Sequence, residues 1–469
     1  MADSAIILFT KAPIPGLVKT RLIAIDGLSP DANDVAYLYK SLLSDTLTAV
    51  KQACEETGAK LIISFFPKEQ ESVLRTIVEP FFKDALYIPQ VGGNVTERVV
   101  HAFDYAFSMG FTGVFLVPGD HPDLDNGTIV EAILDTGASS APRVVLGPTL
   151  DGGAYLLGFN AESFRRIRFN LEDTYHVCAD IFLKAKSLNI PCSFLSNRND
   201  IDDWDDVQLF LNSKIAPSSK TRIALTRFSG TAREHDRDRK ELSVIIPTLN
   251  EEKNINNILD SLDRQTSRDF EIVVVDGGSR DGTVSTAISR ANKLAFVGNP
   301  SRKRQENIGG FGAKGRVLLF LHADSIVSPT LCEAVIRASR LDEVIGGSCK
   351  SEFSGNKTRY AFLNALRNCG NRLLKIHGIS SGFFVRRRVF LQAHGFSDNV
   401  MEEAVDFQKR TRYWGNYLTI EQIILSSPRR FAGKRDFVPT LIVWITTVLL
   451  TYIGTHHTSI ERMLWKAVR

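Results

Sequence analysis

Carboxylates recur in this chain at the ends of short apolar runs, each followed by small residues. Pro247-Thr248-Leu249-Asn250-Glu251 closes one run, and Asp276-Gly277-Gly278-Ser279-Arg280-Asp281-Gly282-Thr283 closes the next. A carboxylate at a strand end, followed by glycines, lets backbone approach a ligand closely and leaves an oxygen for a base or a ribose. Ser301-Arg302-Lys303-Arg304-Gln305-Glu306-Asn307 is basic and amide-rich, which suits phosphates. The run Val317–Leu321 ends in His322-Ala323-Asp324. An aspartate at such a mouth is a natural Mg2+ or Mn2+ ligand, because these hard cations take carboxylate and diphosphate oxygens together. Met401-Glu402-Glu403 puts two carboxylates at the start of a helical pattern, where one could take a proton from an acceptor hydroxyl.

A second set lies in the first half. The loop Lys11–Leu22 contains Gly16, Lys19 and Arg21 beside exposed backbone N–H groups, an arrangement that cradles phosphates without being a Walker A motif. The run Phe115–Val117 leads to Gly119-Asp120-His121-Pro122-Asp123, with Asp120 a metal-ligand candidate. Asp151-Gly152-Gly153 sets paired glycines beside a carboxylate, and Asp200–Asp206 is an acidic run. His121 and His176 read as structural histidines.

Strands and helices must alternate to bring these positions to one edge. Apolar runs at Ala5–Phe9, Leu61–Phe66, Gly113–Val117, Val144–Leu146 and Tyr155–Phe159 predict strands, with helical periodicity from Val35 to Ala53. The second half repeats the design at Leu242–Pro247, Glu271–Asp276, Arg316–His322 and Gly382–Val385. Alternation of this kind predicts a parallel-sheet α/β architecture with ligands at the carboxyl ends of the strands. Residues 213–240 lack a sustained apolar period and read as a solvated linker between domains 1–212 and 241–435.

Composition narrows the function. The 469 residues are 43% hydrophobic and 23% charged, an ordinary globular balance that excludes disordered, collagen-like and multi-span membrane chains. A net charge of +4 carries no strong nucleic-acid field, so no nucleic-acid partner is expected. The six cysteines are spread without a Cys-x-x-Cys pair, which predicts reduced thiols in a cytoplasmic setting, and the amino terminus shows no basic signal-peptide region.

Taken in this order, the motifs of residues 242–435 closely resemble the inverting family-2 glycosyltransferases of GT-A fold, in particular the subgroup named radical-SAM/selenodomain-associated transferase 2. The resemblance implies that Asp276 reads the nucleotide base, Asp324 is the metal-binding acid, and Glu403 is the catalytic base. It implies that Pro247, Asn250, Glu251, Arg302, Gln305 and Asn307 line a nucleotide-sugar site, and that Arg429 and Arg430 contact the diphosphate. The chain departs from that subgroup at Ile379-Ser380-Ser381-Gly382-Phe383, where Gly-Asp-Gln is usual, at Glu403, where Asp is usual, and at His322. Residues 4–212 resemble DUF2064, or radical-SAM/selenodomain-associated transferase 1, which is similar to GT-A-like nucleotidyltransferases. There Lys19 and Arg21 would meet phosphates, Asp120 would bind Mg2+, and Asp151, Gly152 and Gly153 would line the pocket. Glu97-Arg98 matches a further signature, and Pro118 stands where glycine is frequent. The expectation is a bifunctional transferase of two GT-A-like (nucleotide-diphospho-sugar transferase, Rossmann-like) domains using Mg2+ or Mn2+, a nucleotide-sugar donor and an acceptor of unknown identity. The alternative is that one domain is an inactive nucleotide-binding regulatory module.

The carboxyl end, residues 436–469, carries an apolar face through Leu441, Trp444, Ile445, Val448, Leu449 and Tyr452, with basic residues on both sides. An amphipathic helix is expected there. Peripheral contact with a membrane surface, packing on its own domain and packing on a second copy in a homodimer all fit that pattern.

Overall fold

The computed structural model describes residues 4–23, 30–137, 141–168, 176–211, 219–227, 239–298, 300–353, 364–365, 368, 377–397, 403–427, 442 and 446. It divides into two units, Met1–Asp236 and Arg237–Arg469.

In the first unit the strands are β1 (Ser4–Lys11), β2 (Lys60–Phe66), β3 (Leu86–Pro89), β4 (Gly113–Pro118), β5 (Val144–Pro148), β6 (Ala154–Asn160) and β7 (Cys192–Phe194). They form one sheet in the order β3-β2-β1-β4-β6-β5-β7. β3, β2, β1 and β4 run parallel, β6 is antiparallel to both β4 and β5, and β7 runs parallel to β5. The sheet is therefore mixed, where the sequence pattern predicts a parallel one. The reason is chain length: only Thr149–Gly153 separates β5 from β6, and a parallel crossover needs a dozen residues or more.

The second unit holds β8 (Leu242–Thr248), β9 (Phe270–Asp276), β10 (Lys293–Phe296), β11 (Val317–Phe320), β12 (Ser325–Val327), β13 (Val344–Phe353), β14 (Phe383–Arg386) and β15 (Asn416–Ser426). Its order is β10-β9-β8-β11-β14-β13-β15-β12. The first seven positions repeat the first unit strand for strand, including the antiparallel member, here β14, and the parallel pair beyond it. β12 is an addition at the edge, antiparallel to β15. Two copies of one topology thus lie in one chain.

The central strands are largely apolar and buried, as strands covered on both faces are. Every residue of β8 is buried, as is every residue of β9 after Phe270. The helix Arg302–Gly312 lies directly on this sheet at Gly309, where a Cβ would come within 2.5 Å of Ile245 Cγ2. In the first unit the 26-residue helix Ala32–Thr57 starts at Asp31 in a reciprocal capping box with Asp34 and stops at Gly58 in the left-handed conformation.

Residues 219–227 depart from the linker expectation. Lys220–Thr226 is a helix whose first backbone N–H groups, at Lys220 and Thr221, donate to the Asp45 carboxylate at 3.1 and 2.8 Å. Its Ala224 and Leu225 are buried in a cluster with Val18, Leu22, Leu42 and Phe210. A helix of two turns is too short to display a period in the sequence, yet it joins the first core. Among the described residues no helix is long and apolar enough to cross a membrane. The expected helix of 436–469 lies outside the described residues, apart from Ile442 and Thr446.

Each unit braces its first two strands in the same way. The Gln90 side-chain amide donates to the carbonyls of Thr10 and Ser64, both at 3.1 Å. Gln305 donates to those of Thr248 and Val275 at 2.7 and 2.8 Å. Both glutamines follow the third strand of their sheet and tie two parallel strands together at their carboxyl ends. Gln305→Leu leaves buried carbonyls short of a donor and lowers the stability of the second unit by about 1–3 kcal/mol. Denaturant unfolding of the full chain checks this: one transition shifts its midpoint and the other does not.

Candidate functional site

In both units the carboxyl ends of the parallel strands come to one edge, and the strand order reverses direction beside the first strand. A ligand crevice is expected at such a switch point. In the first unit a cavity of about 350 Å³ opens there. Phe9, Thr10 and Lys11 reach it from β1 and Pro118 and Asp120 from β4, while Lys19, Arg21 and Arg98 supply cations.

The loop between β1 and the helix Ala32–Thr57 is shaped for this position. Ala12 N–H donates to the Phe66 carbonyl at 2.8 Å, which anchors the loop to β2. Gly16 and Lys19 both take positive φ, +78° and +42°, and Val18 and Leu22 sink into the core. The result drives Lys19 inward. Its Nζ lies 2.7 Å from Asp120 Oδ2 and 2.7 Å from Asp202 Oδ1, with only 7% of its side chain exposed. Burial favours the neutral amine, but the Asp120, Asp202 and Asp200 charges outweigh it and hold the ammonium well above the ordinary lysine value. Burial likewise works against the Asp120 carboxylate, and Lys19 more than compensates, so its pKa falls below the usual range. Asp200 goes the other way. Burial, then the charges of Asp151 and Asp202, push it well above the carboxylate range.

Two sequence expectations change here. Lys19 does not stand free for phosphate, and Asp120 does not stand free for a cation; each is the other's counter-ion. Asp202, read only as part of an acidic run, completes the triad. Arg21 is 71% exposed and 3.9 Å from Asp202. Arg98 lies over the Phe66 ring at 4.6 Å and donates to the Gly92 carbonyl. Tyr39, which the sequence did not single out, hydrogen-bonds Thr10 Oγ1 at 3.0 Å; burial, helped by the Asp120 charge, pushes its hydroxyl up to about 12. Asp151 is used within its own turn, accepting from Thr149 Oγ1 at 2.5 Å and from Gly153 N–H at 3.2 Å. Gly152 takes φ +101° there.

The second unit gathers Asn250, Asp276 and Gln305 at the ends of β8 and β9, as expected, but assigns several of them internal work. Asp276 is fully buried. It accepts from Thr248 Oγ1 at 2.9 Å, Ser279 Oγ at 2.6 Å, and the N–H groups of Gly278 and Ser279 at 2.8 and 2.7 Å. Burial outweighs these donors and raises its pKa. Asp276 therefore shapes the glycine turn, where Gly278 takes φ +87°. Asn250, at φ +56°, accepts from Arg280 N–H at 2.8 Å and locks the β8 loop to the β9 loop. Glu251 accepts from Asn254 Nδ2 at 2.6 Å. Pro247 lies inside β8, opposite Val275. Asn307 exchanges two hydrogen bonds with the Phe396 backbone, at 2.9 and 2.8 Å, so it positions a neighbouring segment and does not line the edge.

Asp324 is half-buried, in a turn after β11 closed by Ser325 N–H to the His322 carbonyl at 3.1 Å. Glu403 opens the helix Glu403–Thr411 and is 4% exposed. That helix is seated by Phe407, one turn further along the same face, whose ring meets those of Phe383, Phe390 and Phe396 at centroid distances of 6.0, 5.8 and 5.4 Å. The Glu403 Oε1 lies 3.3 Å from Arg302 Nη2. The same guanidinium reaches the buried Glu306 through Nε at 3.7 Å. Glu306 stands inside the basic motif and was not singled out by sequence; its only signal was its place four residues after Arg302. Glu402, Arg429 and Arg430 lie outside the described residues.

Among the described residues, no three carboxylate, imidazole or thiol groups converge to hold an ion. Asp324 alone fits a divalent cation that takes its remaining ligands from a diphosphate, the usual manner for Mg2+. Asp120 fits less well, being already paired with Lys19.

Lys19→Met removes the cation and leaves Asp120 and Asp202 uncompensated, at an expected cost of about 3–5 kcal/mol at pH 7. Asp120 has a depressed pKa, so its contribution is complete above the ordinary aspartate range and is lost as pH falls through the lower folded value. The gap between wild type and Lys19→Met should accordingly shrink below about pH 4. Urea unfolding at pH 7 and pH 3.5 measures it.

Comparison with known proteins agrees with this division. The sequence model of glycosyl transferase family 2 matches residues 243–395. That of DUF2064, described as an uncharacterized protein conserved in bacteria, matches residues 49–171. An uncharacterized glycosyltransferase of Haemophilus influenzae is 32% identical over 99 residues, which are 20% of this chain and 33% of that protein. Dolichyl-phosphate beta-glucosyltransferase of Drosophila melanogaster is 34% identical over 100 residues, 18% of this chain and 31% of the relative. The chain thus spans about a third of the length of the curated relatives it matches. A crystal structure from Desulfovibrio desulfuricans G20, provisionally assigned as a nucleotide-diphospho-sugar transferase, shares 26% identity with a TM-score of 0.42 and covers 49% of this chain and 96% of that one. With two sheets of one topology and two separate matches, the chain is a fusion of a DUF2064-like domain with a family-2 glycosyltransferase domain.

Proposed function

We propose that the second unit transfers a sugar from a nucleotide-diphosphate sugar to an acceptor hydroxyl with inversion at the anomeric carbon. One observation carries this reading: the segment matching glycosyl transferase family 2 contains β8, β9, β11 and Arg302, and Glu403 sits against that arginine at the edge those strands define. The acceptor O–H proton passes to the Glu403 carboxylate as the oxygen bonds the anomeric carbon. The bond from that carbon to the diphosphate breaks on the opposite face, and the leaving group departs with the electron pair. A divalent cation, when bound, would be held by Asp324 and would offset the charge developing on the diphosphate. Asp276, Asn250 and Gln305 support the reading as the frame of the nucleotide loop.

For the first unit we propose binding of an anionic, nucleotide-linked ligand in the 350 Å³ cavity, with Arg21 and Arg98 at its phosphates. Two uses fit: activation of a sugar that the second unit then transfers, and binding without turnover. The second is favoured by the Lys19 ion pair, which occupies Asp120, the acid expected to hold a metal. Release of pyrophosphate from a nucleoside triphosphate and a sugar phosphate separates the two, since a binding module releases none.

The donor test uses the full chain with Mn2+ and a panel of UDP- and GDP-sugars. A donor should raise Tm and be consumed. Asp324→Ala should abolish the metal-dependent part of that rise, and Glu403→Gln should keep it while lowering turnover by about 10²–10⁴-fold. Donor binding and turnover that are indifferent to both substitutions would remove the reading.

A further inference from the structure

Glu306 is the least expected residue of the second unit. It is fully buried, on the inner face of the helix Arg302–Gly312, and neither carboxyl oxygen has a hydrogen-bond partner. Glu403 Oε2 is likewise buried without one. A carboxylate stripped of water and of donors costs several kcal/mol, so Glu306, close to a second buried carboxylate whose Oε1 alone accepts from Arg302, calls for a compensating charge or a proton. The only guanidinium touching both is Arg302, at 3.7 Å from Glu306 and 3.3 Å from Glu403 among the described contacts. Lys303, on the same helix, adds a second and smaller pull on Glu306. Two like charges on a single guanidinium in a buried site cannot both persist.

We propose that Glu306 is a positioning residue for Glu403, the two carboxyl groups holding one proton between them over the Arg302 guanidinium. The inference rests on the reading of Glu403 as the base. In the one-proton state the pair carries a single negative charge, matched by Arg302. Glu403 is then held as carboxylate toward the acceptor, and Glu306 behind it as neutral acid. When the acceptor hydroxyl gives up its proton, Glu403 takes it and the pair becomes neutral, while the departing diphosphate carries the electron pair away. The charged groups that face Glu306 are Glu403 from the opposite helix and Arg302 and Lys303 from its own. Burial, then the Glu403 charge, push its carboxyl well above the ordinary glutamate range, against the pull of both cations.

The experiment compares thermal unfolding of wild type, Glu306→Gln and Glu403→Gln from about pH 4 to about pH 9, with turnover of the best donor over the same range. Glu306 has a raised folded value, so the stability it contributes is complete below the ordinary glutamate pKa and is lost as pH rises toward the folded one. Glutamine has no proton to lose. Glu306→Gln should therefore raise Tm at pH 7 by about 2–4 °C, a gain that vanishes below about pH 4.5. Glu403→Gln, which relieves the same pair from its other side, should show the same dependence. Wild-type turnover should fall on the alkaline side as the shared proton leaves. That limb should be missing in Glu306→Gln, whose turnover at pH 7 should drop by about threefold to tenfold through looser alignment of the base. Tm differences that stay flat with pH in both variants overturn the shared proton. Tm differences that follow pH in a chain that turns over no donor overturn the transferase reading and leave the proton pair standing.

Discussion

The carboxyl ends of buried parallel strands impose a polar problem on whatever is built above them. Backbone carbonyls there have left the ladder, and the carboxylates that follow them are cut off from water. Most of the site architecture of this protein is a response to that constraint. A glutamine amide bridges the first two strands in each unit, Gln90 in one and Gln305 in the other, at the same topological position. Asp276 spends both oxygens on four donors and so turns a glycine-rich loop into a fixed edge. Asn250 then ties the β8 loop to the β9 loop. The ligand-facing surface is made by backbone that these side chains hold in place.

Surplus acid is handled differently in the two units. In the first, the Lys19 ammonium is carried inward by a left-handed residue and two apolar anchors until it lies between Asp120 and Asp202. A full positive charge offsets the acids, while burial and the charges of Asp151 and Asp202 push the Asp200 carboxyl well above its ordinary range. In the second, the side chain between the acids is a guanidinium shared by Glu306 and Glu403, and burial pushes the Glu306 carboxyl well above its ordinary range. The distinction bears on chemistry. An internal ion pair stores charge in a closed form, whereas a carboxyl pair with one mobile proton can accept another.

Much of this was legible in the sequence. The strands β1, β2, β4, β8 and β9 announce themselves as apolar runs, β4 leading into Gly119-Asp120 and β9 ending in Asp276, and the repeated design of the two halves predicts two related α/β domains. The motif residues Asn250, Asp276 and Gln305 do converge on one edge. What the sequence could not show is which of them face outward. Asp276 and Asn307 look like ligand-binding groups by type and position, and they are hydrogen-bonded into the frame instead, because donors from Ser279 and Phe396 reach them only after folding. Lys19 and Asp120 lie about a hundred positions apart, and nothing local records that they pair.

The amino-acid sequence alone determined the alternation of elements, the identity of the two domains and the residue types at each strand end, since these depend on local propensity and on motifs within a few residues. Tertiary structure decided the antiparallel strands, the docking of Lys220–Thr226 on the first core, and the pairing of every important charge. Those outcomes follow from loop length, from burial and from distances between residues remote in sequence. Glu306 shows the difference most clearly: in the chain it is one acid in a basic motif, and only the fold buries it with no hydrogen-bond partner among the described residues.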